Sequence, residues 1–128
     1  MNHLLLIAAG GALGAVSRHG VNQACLRWIG PDAPWGVLIV NVAGSLAVGL
    51  LVGWLAQAGR ADATEIRFAF GVGFLGAFTT MSALSLELIL MIERKAFLEA
   101  LVWGGGMLIA CVLAAGVGLA LARTVWPS

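Results

Sequence analysis

Three stretches without a charged side chain, residues 34–59, 68–86 and 100–122, constrain the fold before anything else does. Each comes to the roughly 20 residues that an α-helix needs to cross the hydrocarbon core of a bilayer. The composition agrees, since 61% of the 128 residues are hydrophobic and 10% are charged, far from a soluble globular domain. A fourth apolar run opens at Leu4, meets Arg18 and His19, and continues from Val21 to Ile29 around Asn22, Gln23 and Arg27. It reads as one helix with Arg18 partly buried. A secretory signal peptide is the rival reading, imitated by the apolar run and by Ala8, Ala12 and Ala15. Against it, no Lys or Arg precedes the run, and the residues after it make no secreted domain. The expectation is an all-α membrane protein with one transmembrane domain over 1–128 and helices over about 4–28, 35–58, 67–92 and 98–123. The connections Gly30 to Ala33, Arg60 to Ile66 and Glu93 to Leu98 hold no soluble domain, so the function lies within the bilayer.

Four spans put both termini and the second connection on one side. Arg60, Arg67 and Arg123 lie there; Arg27, Arg94 and Lys95 lie opposite, with Arg18 if it reaches that surface. Such a balance gives almost no positive-inside bias, which admits insertion in both orientations. Two opposed copies can then pair about an axis in the membrane plane. So few charges can also balance by chance. No internal repeat or low-complexity segment is present, and Cys25 and Cys111 fall inside spans, where they read as small packing residues.

Polar side chains at bilayer depth are costly and are therefore the functional candidates. The second span holds Asn41 and Ser45 on one helix face, among Gly36, Gly44, Gly49 and Gly53. Asn41 can bond a neighbouring helix as packing glue, or donate its two N–H groups to an anion. The third span carries Gly71, Gly73 and Gly76 and then Thr79-Thr80-Met81-Ser82. Glycines followed by adjacent β-branched residues make a poor helix interior, so a break between Gly76 and Thr80 stands beside an intact, tightly packed helix as a reading. Carbonyls freed by a break suit a small cation, and an N-terminal helix end suits an anion. Beyond it, Thr79, Ser82 and Ser85 recur at three-residue spacing as a hydroxyl stripe, with Thr80 beside it and Met81 and Leu84 on the adjacent stripe. Glu87 ends the stripe as a buried acid, a cation partner or an interfacial residue reaching water. The fourth span, with Trp103, Gly104 to Gly106 and Cys111, reads as close packing. His3 and His19 have no ligand-spaced partners and no nucleophile has an obvious base, so no enzyme is expected and no nucleic-acid partner.

The run Gly10-Gly11-Ala12-Leu13-Gly14-Ala15-Val16-Ser17-Arg18, the segment from Gly36 through Asn41 to Gly44 and Gly49, and Gly73-Phe74-Leu75-Gly76-Ala77-Phe78-Thr79-Thr80-Met81-Ser82 together resemble the Fluc (CrcB) family of fluoride channels. The resemblance covers nearly the whole chain. It implies an antiparallel, dual-topology homodimer in a bacterial inner membrane, passing fluoride passively out of the cytoplasm. It also implies a structural sodium ion (Na+) at the two-fold axis, held by the carbonyls of Gly76 and Thr79 from both copies. Asn41 matches the pore asparagine, Arg18 the first-helix arginine and Glu87 an acidic position after the signature. The fluoride path implied runs by Arg18, Asn41, Thr80, Met81, Ser82, Leu84 and Ser85. Three departures stand out: Met81 and Leu84 replace phenylalanines whose ring edges are thought to face fluoride, Val37 replaces a common threonine, and Met107 and Cys111 replace hydroxyl residues. They predict an unchanged fold and sodium site with slower or differently coordinated fluoride passage. The alternative is a dual-topology small multidrug transporter, which would want a buried carboxylate in the first helix; that helix has none.

Overall fold

Away from water a spanning backbone must satisfy its own N–H and C=O groups, which the α-helix does within one segment. Pro31, Pro34 and Pro127 are the only prolines, and all three lie outside the helices. The computed structural model describes residues 2–58 and 63–127; Arg60, one of the basic residues in the charge balance, lies outside them. The spans begin with α1 (Asn2–Trp28) and α2 (Trp35–Ala58). The third is composite: α3 (Ala63–Ile66), a π-helical run over Arg67–Leu75, α4 (Gly76–Phe78) and α5 (Met81–Glu93). The last is α6 (Phe97–Val125). Among the described residues all four are long and apolar enough to cross a membrane.

The third span is interrupted at Thr79 and Thr80, the broken one of the two readings the sequence allows. Through Leu75 and Gly76 the backbone is helical, and the Gly76 N–H bonds Gly71 O five residues back, the signature of a π-turn, as well as Gly73 O. Thr79 (φ −80°, ψ 156°) and Thr80 (φ −151°, ψ 118°) are then extended. Two β-branched residues accept that conformation readily. Thr80 then restarts the helix as an N-cap, its hydroxyl accepting from the Ala83 N–H at 3.2 Å. Because the break resets the helical phase, Thr79 does not stand on the same helix as Ser82 and Ser85. The single hydroxyl stripe expected across Thr79, Ser82 and Ser85 therefore does not form.

Helix α1 packs on the π-helical run, while α2 packs along α6 with backbone close to backbone. At that second crossing a side chain on Gly49 would run into the Ala115 carbonyl, and one on Gly118 into the Leu46 carbonyl. The core between α2, α5 and α6 is Val37, Leu84 and Met107, with Leu38, Leu88, Trp103 and Cys111 against it. Leu13, Val16, Leu101 and Leu113 face outward, as lipid-facing residues do. The α5–α6 turn is closed by bonds from Lys95 N–H to Ile92 O (2.9 Å) and Ala96 N–H to Met91 O (2.8 Å), with Lys95 at φ 61°.

Candidate functional site

The site grows out of the interruption. In an unbroken helix the Thr80 N–H would bond Gly76 O and the Ala83 N–H would bond Thr79 O. Here Thr80 N–H donates to Asn41 Oδ1 at 2.7 Å, and Ala83 N–H donates to the Thr80 hydroxyl. These two diversions release the carbonyls of Gly76 and Thr79, and the extended backbone at Thr79 and Thr80 likewise frees those of Ala77 and Phe78 from Met81 and Ser82.

Asn41 is the partner that makes the break tolerable. Its Oδ1 takes the Thr80 N–H, and its Nδ2 donates back to Thr80 O at 3.0 Å. A buried extended residue thus has both backbone groups paired by one side chain. The second Nδ2–H points at Met107 Sδ, 3.4 Å away. Of the two uses the sequence allows Asn41, the fold displays the clamp between helices, with one N–H resting on a weak sulfur acceptor. Asn41 and Thr80 are the buried polar residues among those described, at 9% and 7% exposure, so little of either is open to solvent or lipid.

A groove of about 520 Å³ lies over this clamp between α2, α5 and α6. Asn41, Ser45, Thr79 and Thr80 supply its polar wall, and Met81, Leu84, Met107 and Cys111 much of its apolar wall. Among the described residues no carboxylate, imidazole, ammonium or guanidinium lines it. A second hollow of about 460 Å³, between α1 and α5, gathers Arg18, His19, Asn22, Thr80 and Ser82. The residues expected along one path are therefore divided: Asn41, Thr80, Met81 and Leu84 border the first space and Arg18 and Ser82 the second, with Thr80 in the wall of both. Ser85 borders neither, and its hydroxyl donates to Met81 O at 3.0 Å. Glu87 is half-buried in hollows beneath the first connection, beside Asp32 and Arg94 in one and Asn22 and Trp35 in the other.

The hydroxyls are used by the chain itself. Thr79 donates to Leu75 O at 3.0 Å, and the Thr80 and Ser82 hydroxyls lie 3.2 Å apart. Sequence reasoning ranks Met81 with Leu84, whereas the fold separates them. Met81 is 71% exposed at the groove while Leu84, at 8%, belongs to the core with Met107. Met107 enters sequence reasoning only as a departure from the hydroxyl residues of the resembled family, not as a partner of Asn41. A hydrophobic residue on a hydrophobic helix carries no local signal of a polar role, and the contact with Asn41 is what the structure adds.

Comparison with known proteins bears on what such a site is for. The sequence pattern of the family described as "CrcB-like protein, Camphor Resistance (CrcB)" matches residues 5–119. The fluoride-specific ion channel FluC of Phenylobacterium zucineum (strain HLK1) is 47% identical over 126 residues, covering 98% of this chain and 99% of that protein. FluC of Caulobacter sp. (strain K31) is 46% identical over 126 residues, covering 98% of each. FluC of Sphingopyxis alaskensis is 45% identical over 123 residues, 96% of this chain and 97% of that protein.

Proposed function

This chain belongs to the CrcB family, and we infer that it is a fluoride channel, a multi-pass protein of a bacterial membrane. Passive passage is the reading that the groove over Asn41 supports, its polar wall being the neutral side chains of Asn41, Ser45, Thr79 and Thr80. Fluoride that enters a cell as neutral hydrogen fluoride ionises inside, and a negative-inside potential drives the anion out. Neutral donors in a narrow path favour a small, strongly hydrated ion. Arg18, across Thr80 and Ser82 from the groove, would raise the local concentration of an anion without lying in its way.

The working unit in this reading is an antiparallel homodimer. Gly76 is exposed and has lost the helical partner of its carbonyl, and in hydrocarbon each unsatisfied backbone group costs several kcal/mol. A second copy would cover that surface, and the near-equal basic charge on the two sides of the membrane favours an inverted one. The donor set fits a small monovalent cation. The freed oxygens of Gly76 and Thr79 are neutral, and among the described residues no cluster of His, Cys, Asp or Glu could hold a metal. Two carbonyls from each copy would hold Na+, which when bound offsets the carbonyl dipoles at the two breaks.

Efflux from proteoliposomes tests the function. Fluoride should leave rapidly and chloride slowly. Proton-coupled uptake of an organic cation would favour the small multidrug transporter instead, and silence for both would sink the channel. The departures at the groove yield a second expected result. Because Leu84 and Met107 share one core, Leu84→Phe alone overpacks it by about 1–3 kcal/mol. Adding Met107→Ser should recover most of that loss in an SDS-unfolding titration; equal stability of the single and double variants would refute the coupling.

A further inference from the structure

Met107 sits at a point where its sulfur decides what Asn41 has to offer. One Nδ2–H of Asn41 is committed to Thr80 O, a bond that holds the break closed. The other is the only amide hydrogen left for a ligand, and Met107 Sδ accepts it at 3.4 Å. Met107 is 2% exposed and packed with Val37 and Leu84, so its sulfur cannot swing clear without a change in that core. A thioether is a weak acceptor. It satisfies a buried N–H well enough to avoid an orphan, yet it can yield to an anion.

We propose that Met107 gates the anion site by occupying the spare Asn41 amide hydrogen, which fluoride takes over only by displacing the sulfur. This rests on the fluoride-channel reading and names within it a positioning residue that acts through Asn41. Leucine is the informative replacement. Methionine and leucine exchange with little change in packing volume, whereas leucine has no acceptor. Met107→Leu leaves the amide hydrogen unpaired before the anion arrives, and an anion pairing with it no longer competes with sulfur.

The test uses the whole chain in proteoliposomes and, in parallel, chain labelled with ¹⁵N at its three asparagines, Asn2, Asn22 and Asn41. Met107→Leu is expected to raise fluoride throughput roughly fivefold, the scale of one net hydrogen bond. In the labelled protein one of the two Asn41 side-chain amide protons should shift in the variant without fluoride, and should respond to sodium fluoride at lower concentration than in the unsubstituted chain. A merely structural methionine would leave throughput and the fluoride dependence of the amide where they were. Unchanged or reduced throughput in a variant that still assembles, or an Asn41 amide indifferent to the substitution, overturns the gate. An unsubstituted chain that passes no fluoride overturns the channel reading and the gate with it, while the amide shift still reports separately on the Asn41–Met107 contact.

Discussion

Asn41→Ala is expected to abolish most fluoride passage and to weaken the fold together. The substitution leaves the buried Thr80 N–H without a partner and takes one donor from Thr80 O, which as the N-cap carbonyl keeps the first bond of α5. An orphaned buried N–H costs about 1–3 kcal/mol, and a loss of that size is expected in an SDS-unfolding titration. Transmembrane side-chain bonds are often worth less because the unfolded helix finds other partners in the bilayer. The Thr80 N–H is different because the extended backbone at the break leaves it no helical acceptor to fall back on. Removal of the amide also removes the donor facing the groove, and a barrier higher by about 2.7 kcal/mol means roughly a hundredfold less flux. Asn41→Asp separates the two effects. An aspartate still accepts from Thr80 N–H, but it offers nothing to Thr80 O and sets a negative charge in an anion's way. It should retain more stability than alanine while conducting no better. Flux within about twofold of the unsubstituted chain for either variant, against the roughly hundredfold loss expected, would remove Asn41 from the path.

The second large effect is expected at the α2–α6 crossing. A methyl group at Gly49 would meet the Ala115 carbonyl and the Leu119 backbone nitrogen, and one at Gly118 would meet the Leu46 carbonyl and the Leu50 nitrogen. Those atoms belong to helix backbones, which cannot rotate aside as a side chain can. The helices must separate. Asn41 and Met107 stand on these two helices, so separation also pulls the sulfur from the amide. Gly49→Ala or Gly118→Ala should therefore cost about 1–3 kcal/mol, and the two together more. Gly20→Ala is the control, since nothing lies within 4 Å of the added carbon and the helix gains up to about 1 kcal/mol of intrinsic propensity. Melting in detergent, followed by loss of the monodisperse species, distinguishes them. Equal stability of all three variants would mean that the crossing is looser than the structure has it.

The contrast between these glycines shows how unevenly the sequence can be read. Gly49 and Gly20 look alike in the chain, each a glycine in a spanning helix. One touches a neighbouring backbone and the other touches nothing, because a residue's partner across a helix pair depends on crossing point and rotation. Resemblance to a known family draws attention to Gly49. No local property does.

The four spans were determined by the sequence alone, because a backbone in hydrocarbon has so few ways to satisfy itself that apolar length translates almost directly into helix. The place of the break was legible for a similar local reason: glycines weaken a helix, paired threonines accept an extended backbone, and a threonine can cap the restart. Tertiary structure alone decided what each polar group does. Residue periodicity holds within one helix and fails across an interruption, so the stripe read through Thr79, Ser82 and Ser85 came apart into separate hydrogen bonds. The bond between Asn41 and Thr80 joins positions 39 residues apart, and its existence depends on how α2 lies against the broken span. The third helix could allow a break from its own residues, but not say which side chain would hold it there.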